Sequence, residues 1–287
     1  MESQIKVTSV SSFIDLIKKE FVSLKGAKDE IELYWFRGEE SSEWKTLKPK
    51  AYRDIEPAED QYIFRQAKYI EGNLKSFFNR ESTPYLIRKG INRTKWNQYF
   101  LMQHYGLRTR LLDWTESALL ALFFAVSKKE SQKDGRVWIL SPFKLNRFTI
   151  NTICGINNAD FIQIPEEVLE KSALVKNNAP EMNELCRRYL LTDFENHENK
   201  ETSYYPLAIL PPLLDERMLV QQSCFTIFGD QVNGLLGYNQ DRFLRSVIID
   251  FSSKNEIKNE LKWMGITYKS IYPDLSGVCL SIEDEYF

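Results

Sequence analysis

In "VSSFIDLIKKEF" the apolar residues Phe13, Ile14, Ile17 and Phe21 fall at helical spacing after a serine cap. "IELYWFRG" is aromatic and β-branched and closes on a glycine, which predicts a strand stopping at Gly38. Tyr62, Phe64, Ala67, Ile70, Leu74 and Phe77 predict a helix from Glu59 to Asn79. Trp96, Tyr99 and Phe100 predict a second helix over Lys95–Gln103. "TESALLALFFAV" is helical, with Thr115 as its N-cap and Ala118, Ala121, Leu122 and Ala125 on a close-packed face. "DGRVWILSP" reads as turn, strand and stop.

The stretch from Phe143 to Lys200 is more polar, with a helix expected at Glu181–Leu191, and reads as an insertion over the core. Beyond it, "YYPLAIL", "DERMLVQQ", "CFTIFGD" and "RSVIIDF" read as strand, short helix, strand and strand. "KNEIKNELKWMGI" closes the series with an apolar stripe of Ile257, Leu261 and Met264. The pattern predicts an α+β fold in which late strands pair with early ones.

Composition narrows the function classes. The chain has 287 residues, 43% of them hydrophobic, enough for a large core. Lys+Arg total 38 and Asp+Glu 40, so no global basic field draws in nucleic acid. Four dispersed cysteines and two histidines give no zinc spacing and suit reduced thiols. No signal sequence is evident, and the longest apolar run is about half a membrane span. These features predict a soluble, cytoplasmic protein without a membrane partner. No P-loop, GxGxxG, GxSxG or HExxH pattern occurs.

Three stretches can carry chemistry. "QHYGLRTRLLDWT", Gln103–Thr115, holds His104, Arg108, Arg110, Asp113, Trp114 and Thr115 in thirteen residues, between one helix ending at Gly106 and another beginning. A helix N-terminus with two arginines suits a phosphate. Asp113 would position His104 or a sugar hydroxyl, and Trp114 would stack on a base or nicotinamide. The same spacing also fits a structural arrangement: Asp113 and Thr115 capping, Arg110 paired with Asp113, and Trp114 in the core. In "YWFRGEE", Arg37 ends an apolar strand and needs an anionic partner. Gly38 permits close backbone approach there. That partner is either a ligand phosphate or ribose, or Asp113 or Glu39. In "DERMLVQQSCFTIFGD", Gln221 and Gln222 precede a strand. They bind a ligand's polar edge or form a solvated turn.

Together, and in this order, these stretches resemble the FRG domain family, with its Phe36-Arg37-Gly38 core and the "QHYGLRTRLLDWTESALLALFFA" element. The later "R…QQ.CFTIF" and "LKWMGITYKSIYPDLSG" elements extend the resemblance across Ile31–Leu280. It implies an N-terminal helix in residues 1–30, followed by one FRG domain over 31–287 with the 143–200 insertion.

A more distant resemblance is to ADP-ribosyltransferases. These carry an arginine on an early strand, a Ser/Thr strand leading into an "A..FA" helix, and a Glu or Gln near a later strand. Here those places are taken by Arg37, by Thr115, and by Gln221 and Gln222. The resemblance implies small mixed or antiparallel sheets that form a cleft for NAD, flanked by helices. Arg37 would hold the pyrophosphate or ribose, with Gly38, Arg108, Arg110, Trp114 and Gln221 also on the dinucleotide. His104, Asp113, Thr115 and Gln222 would join Arg37 in catalysis. The acceptor would be a nucleic acid or a protein, as in a toxin or phage-defence effector. Gln222 departs from the transferase glutamate, because a carboxamide brings no negative charge to the transition state. Either Asp113 or Glu39 supplies that charge, or the module senses a nucleotide or nucleic acid without transfer.

Overall fold

The computed structural model describes residues 6–24, 33–44, 47–53, 55–56, 58–128, 132–154, 189–190, 204–237 and 240–286. The expected helix at Glu181–Leu191 lies outside these residues except at Tyr189–Leu190, as do His197 and most of the polar insertion.

Seven strands form one sheet in the order β1-β7-β4-β2-β3-β6-β5. They are β1 (Lys6–Val7), β2 (Trp35–Glu39), β3 (Leu111–Thr115), β4 (Gly135–Leu140), β5 (Leu207–Ile209), β6 (Ser223–Ile227) and β7 (Leu244–Ile249). Among the described residues, only β1 and β7 run parallel; the other pairings are antiparallel. Late strands do return to early ones: β6 pairs with β3, and β7 with β4 and β1. The expectation of separate small sheets is corrected by this continuous sheet. A trace of division remains at its centre. β2 and β3 meet at a single pair, Phe36↔Thr115, whereas β2 meets β4 through five pairs. The sheet therefore has a seam.

Side chains alternate across a strand, and the apolar clusters separate by face. On one face, Phe36, Val137, Ile139, Val247 and Ile249 pack under α1 (Val10–Leu24), α5 (Ala118–Val126) and α8 (Lys254–Trp263). On the same face but beyond the seam, Leu111, Phe225, Ile227, Leu207 and Ile209 pack under α4 (Lys95–His104). Phe100 of α4 stacks on Phe225 with ring centroids 5.4 Å apart. The opposite face carries Trp35, Trp138, Leu140, Leu112 and Trp114. It lies against α2 (Lys50–Arg53), the start of α3 (Asp60–Arg88) and α6 (Pro142–Cys154).

Local chemistry sets several boundaries. Thr94 caps α4, its side chain accepting from Asn97 N at 3.1 Å. α4 unwinds at Gly106, whose φ of +82° is the left-handed exit that glycine tolerates. α5 is capped by Ser117 rather than Thr115, because β3 runs on through Thr115 and leaves it extended. α3 continues to Arg88, beyond the expected stop at Asn79. On α8, Ile257 and Leu261 are fully buried, but Met264 lies past the helix end and is 56% exposed, so it leaves the stripe.

Candidate functional site

The register at the seam decides which motif residues meet. Phe36 lies opposite Thr115, so Asp113 and Thr115 share the Phe36–Gly38 face. Arg37 and Trp114 belong to the other. Arg37 therefore does not join the Asp113 and Thr115 side chains in one pocket. It reaches into the seam instead, and Nη1 donates to the Asp113 carbonyl at 2.9 Å. Its Nε lies 3.4 Å from Glu39, two residues along on the same face. Glu39 is buried and also accepts from Trp138 Nε1 at 2.8 Å. Of the partners considered for Arg37, the acid is Glu39; Asp113 offers only its backbone.

Four residues read as ligand contacts are held by the protein itself. Arg110 is fully buried and each of its three nitrogens donates inside the core. Nε donates to Glu71 at 3.0 Å, Nη1 to Phe228 O at 2.7 Å and Nη2 to Tyr189 O. Glu71 also accepts from Arg110 N and from the Tyr99 hydroxyl. Burial alone would lower the Arg110 pKa, but Glu71, Tyr99 and Tyr52 raise it overall. Burial also holds Tyr99 well above the ordinary tyrosine range, so it stays a donor. Trp114 is buried with its Nε1 on Thr226 Oγ1 at 3.1 Å, and presents no free face for a ring to stack on. Gly38 does allow a close backbone approach, but to α5: a Cβ there would sit 1.9 Å from Ala121 O. Thr115 is buried, donating to Gln221 O at 2.7 Å and accepting from Ser117 N at 3.1 Å.

What remains is a polar strip between the two apolar clusters that share the Phe36 face. Asp113 is exposed there and accepts from Gln103 Nε2 at 2.7 Å. His104 follows Gln103 at the end of α4, with Nε2 2.7 Å from Asp215 Oδ2. Asp215 also caps α7 (Glu216–Val220) through Met218 N at 2.9 Å. Arg217 of α7 lies 4.6 Å over the Tyr272 ring, and its buried Nε has no hydrogen-bond partner. Burial lowers the His104 pKa; Arg217 also lowers it, against the opposing pull of Asp215 and Asp113. Burial and Arg217 thus favour the neutral imidazole. A neutral ring that donates from Nε2 to Asp215 has its lone pair on Nδ1, the arrangement of an oriented base.

Gln221 and Gln222 form the turn from α7 into β6. Gln221 donates to Ile271 O at 3.3 Å. Gln222 is exposed at φ 47°, the only positive φ outside glycine among the described residues. Its carbonyl accepts from Glu116 N at 3.2 Å, tying the turn to the entrance of α5. Arg108 is exposed on the loop between α4 and β3. Sequence reasoning passed over Asp215, Arg217 and Gln103 as site residues. The signal for the first two was their place in "DERMLVQQ", the stretch already singled out for its glutamines.

Fold and strip define a mixed α+β protein with polar residues beside a seam in its sheet. Residues 32–134 match the family model of the FRG domain. The matched segment runs from just before β2 to the start of β4, so it contains Arg37, His104, Asp113 and Thr115 but not the α7 residues. No curated protein and no solved structure matches the chain.

Proposed function

We propose that the polar strip binds NAD and transfers its ADP-ribose to a nucleic-acid or protein acceptor, as a toxin or phage-defence effector would. The carrying observation is the exposed Asp113 carboxylate set among Gln103, His104, Asp215 and Arg217 between two apolar clusters. The order of Arg37, the Thr115 strand with its following helix, and the Gln221–Gln222 turn supports the same reading.

The chemistry follows from the residues. Breaking the bond from ribose to nicotinamide sends the electron pair to nicotinamide and builds positive charge on the ribose. Gln222 carries no charge to offset it. Glu39 is buried and engaged with Arg37 and Trp138. Asp113 is the exposed carboxylate of the strip and takes that role. His104, neutral and oriented by Asp215, accepts the proton that the attacking group loses as its new bond to the ribose carbon forms. The unpartnered Nε–H of Arg217 is a donor for a phosphate or ribose oxygen.

Incubating the chain with NAD and resolving products by chromatography tests the proposal. Nicotinamide release by the parent, lost in Asp113→Asn, is the expected result; no NAD binding by calorimetry overturns it. The exposed carboxamide at Gln222 favours a second reading, a nucleotide sensor. Saturable NAD binding without turnover under any acceptor would select it.

A further inference from the structure

A cavity of about 440 Å³ lies among α8, α9 (Tyr268–Ile271) and α10 (Leu275–Tyr286). Two pairs of residues one turn apart on α8 line it, Lys258 with Lys262 and Asn255 with Asn259. Lys269 joins them from α9. Phe123 and Tyr268 contribute rings that meet edge to face at 5.0 Å. Three ammonium groups thus face two carboxylates, Asp284 and Glu285, both from the end of α10.

Those carboxylates hold the cavity's cations unequally. Lys258 is 7% exposed; its ammonium pairs with Asp284, donates to Ser127 O at 3.2 Å and lies 5.3 Å over the Tyr268 ring. Lys262 reaches Glu285 only at 3.6 Å, with the two side chains 49% and 65% exposed. Among the described residues, no ion pair holds Lys269. The helix that brings the carboxylates is itself lightly attached. Gly277 is its only buried residue, while Leu275 and Ile282 are 81% and 54% exposed. Besides the packing of Gly277 on Tyr272, the polar contacts that hold this helix include Lys258–Asp284 and Lys269 N to Ser281 Oγ at 2.7 Å.

We propose that this cavity is a second binding site, for a nucleotide-sized ligand bearing phosphate, and that the α10 carboxylates stand in for the phosphate when it is absent. The lysines offer point charges that suit phosphate. The paired asparagines offer both donors and acceptors to a base edge. The two rings give an apolar wall, and the volume is within the range of small-molecule sites. The site is separate from the strip at the seam and shares none of its residues.

Calorimetry on the full chain with ATP, adenosine and inorganic phosphate tests this. ATP binds saturably and more tightly than adenosine. Lys262 and Lys269 are both exposed, so their replacement leaves the fold intact, and Lys262→Ala with Lys269→Ala weakens ATP binding by roughly tenfold or more. Glu285→Gln removes a competing charge and tightens it. Absence of saturable ATP binding, adenosine bound as tightly as ATP, or an affinity lost in Arg217→Ala but kept in the double lysine variant overturns the proposal.

Discussion

Arg110 and Asp113 stand three residues apart in one motif, and they belong to two different kinds of polar structure. Around Arg110 the hydrogen bonding is closed. Glu71 accepts from Arg110 through both oxygens, Tyr99 donates to it, and two backbone carbonyls take the remaining guanidinium nitrogens. Around Asp113 it is open. The carboxylate is exposed, Gln103 contacts one of its oxygens, and Arg217 nearby keeps a buried Nε–H with no acceptor. A buried polar group left unmatched costs stability. Closure is therefore what folding alone would select. Openness is what a ligand site requires, and that contrast separates the two regions.

The largest effect is expected in the closed region. Glu71→Ala strands a fully buried guanidinium, which costs about 3–5 kcal/mol. Chemical denaturation should show that loss, or the variant should fail to accumulate in soluble form. A Glu71→Ala protein as stable as the parent would mean that water reaches Arg110 and that the region is not closed.

In the open region the balance reverses. Asp113→Asn keeps the Gln103 contact within reach and removes one charge from an exposed side chain. Its melting temperature should stay near the parent's. Nicotinamide release should drop by about 10²–10³, the usual cost of losing one electrostatic contact to a transition state. Equal damage to stability and activity would place Asp113 with the structural residues.

Arg37 stands between the two regions, and a smaller effect is expected of it. Arg37→Ala leaves Glu39 buried with Trp138 Nε1 as a hydrogen-bond donor and the charge of Arg136 on the next strand, and it frees the Asp113 carbonyl. A destabilisation of about 1–3 kcal/mol follows, together with a looser seam. Thermal melts of Arg37→Ala and Arg37→Lys separate charge from geometry: lysine restores stability if charge is what Glu39 needs. If the Arg37→Ala melt matches the parent, the contact with Glu39 contributes nothing.

The sequence showed which elements exist better than which faces they share. The aromatic and β-branched content of "IELYWFRG" was enough for a strand, but β2 runs on past Gly38 to Glu39, so Arg37 is its middle residue and not its end. The run "ALLALFFAV" was enough for a helix, and Gly106 for its predecessor's exit. The partner of Arg110 could not be read, because Glu71 comes from a helix 39 residues upstream and no local spacing signals it. Nor could the seam register. A shift of one residue exchanges the faces of every side chain on a strand, and that step decided that Arg37 and Thr115 point apart. Trp114 and Thr115 looked like ligand groups because they flank a helix start, yet β3 extends through both and pairs them with β6. The site residues that were missed, Asp215 and Arg217, become visible only when α7 is packed against the end of α4.

The finest test concerns the proton on His104. The folded state lowers its pKa below the ordinary 6.5, chiefly through burial. The sign follows from proton counts. Between the folded pKa and 6.5 the unfolded chain binds more protons than the native one, so native stability falls as pH drops through that window and is full above it. A base that must be neutral also stays competent below pH 6.5, so the acid limb of the rate profile should lie under that value. Asp215 pulls the pKa upward, against burial. Asp215→Asn should therefore move the His104 titration lower still, with a modest rate loss from the less oriented ring. The chain has only two histidines, so proton NMR of the parent and of His197→Gln assigns the signal without ambiguity. A His104 that titrates at or above 6.5, or one unmoved in Asp215→Asn, would mean that the imidazole is solvated and that the strip holds no oriented base.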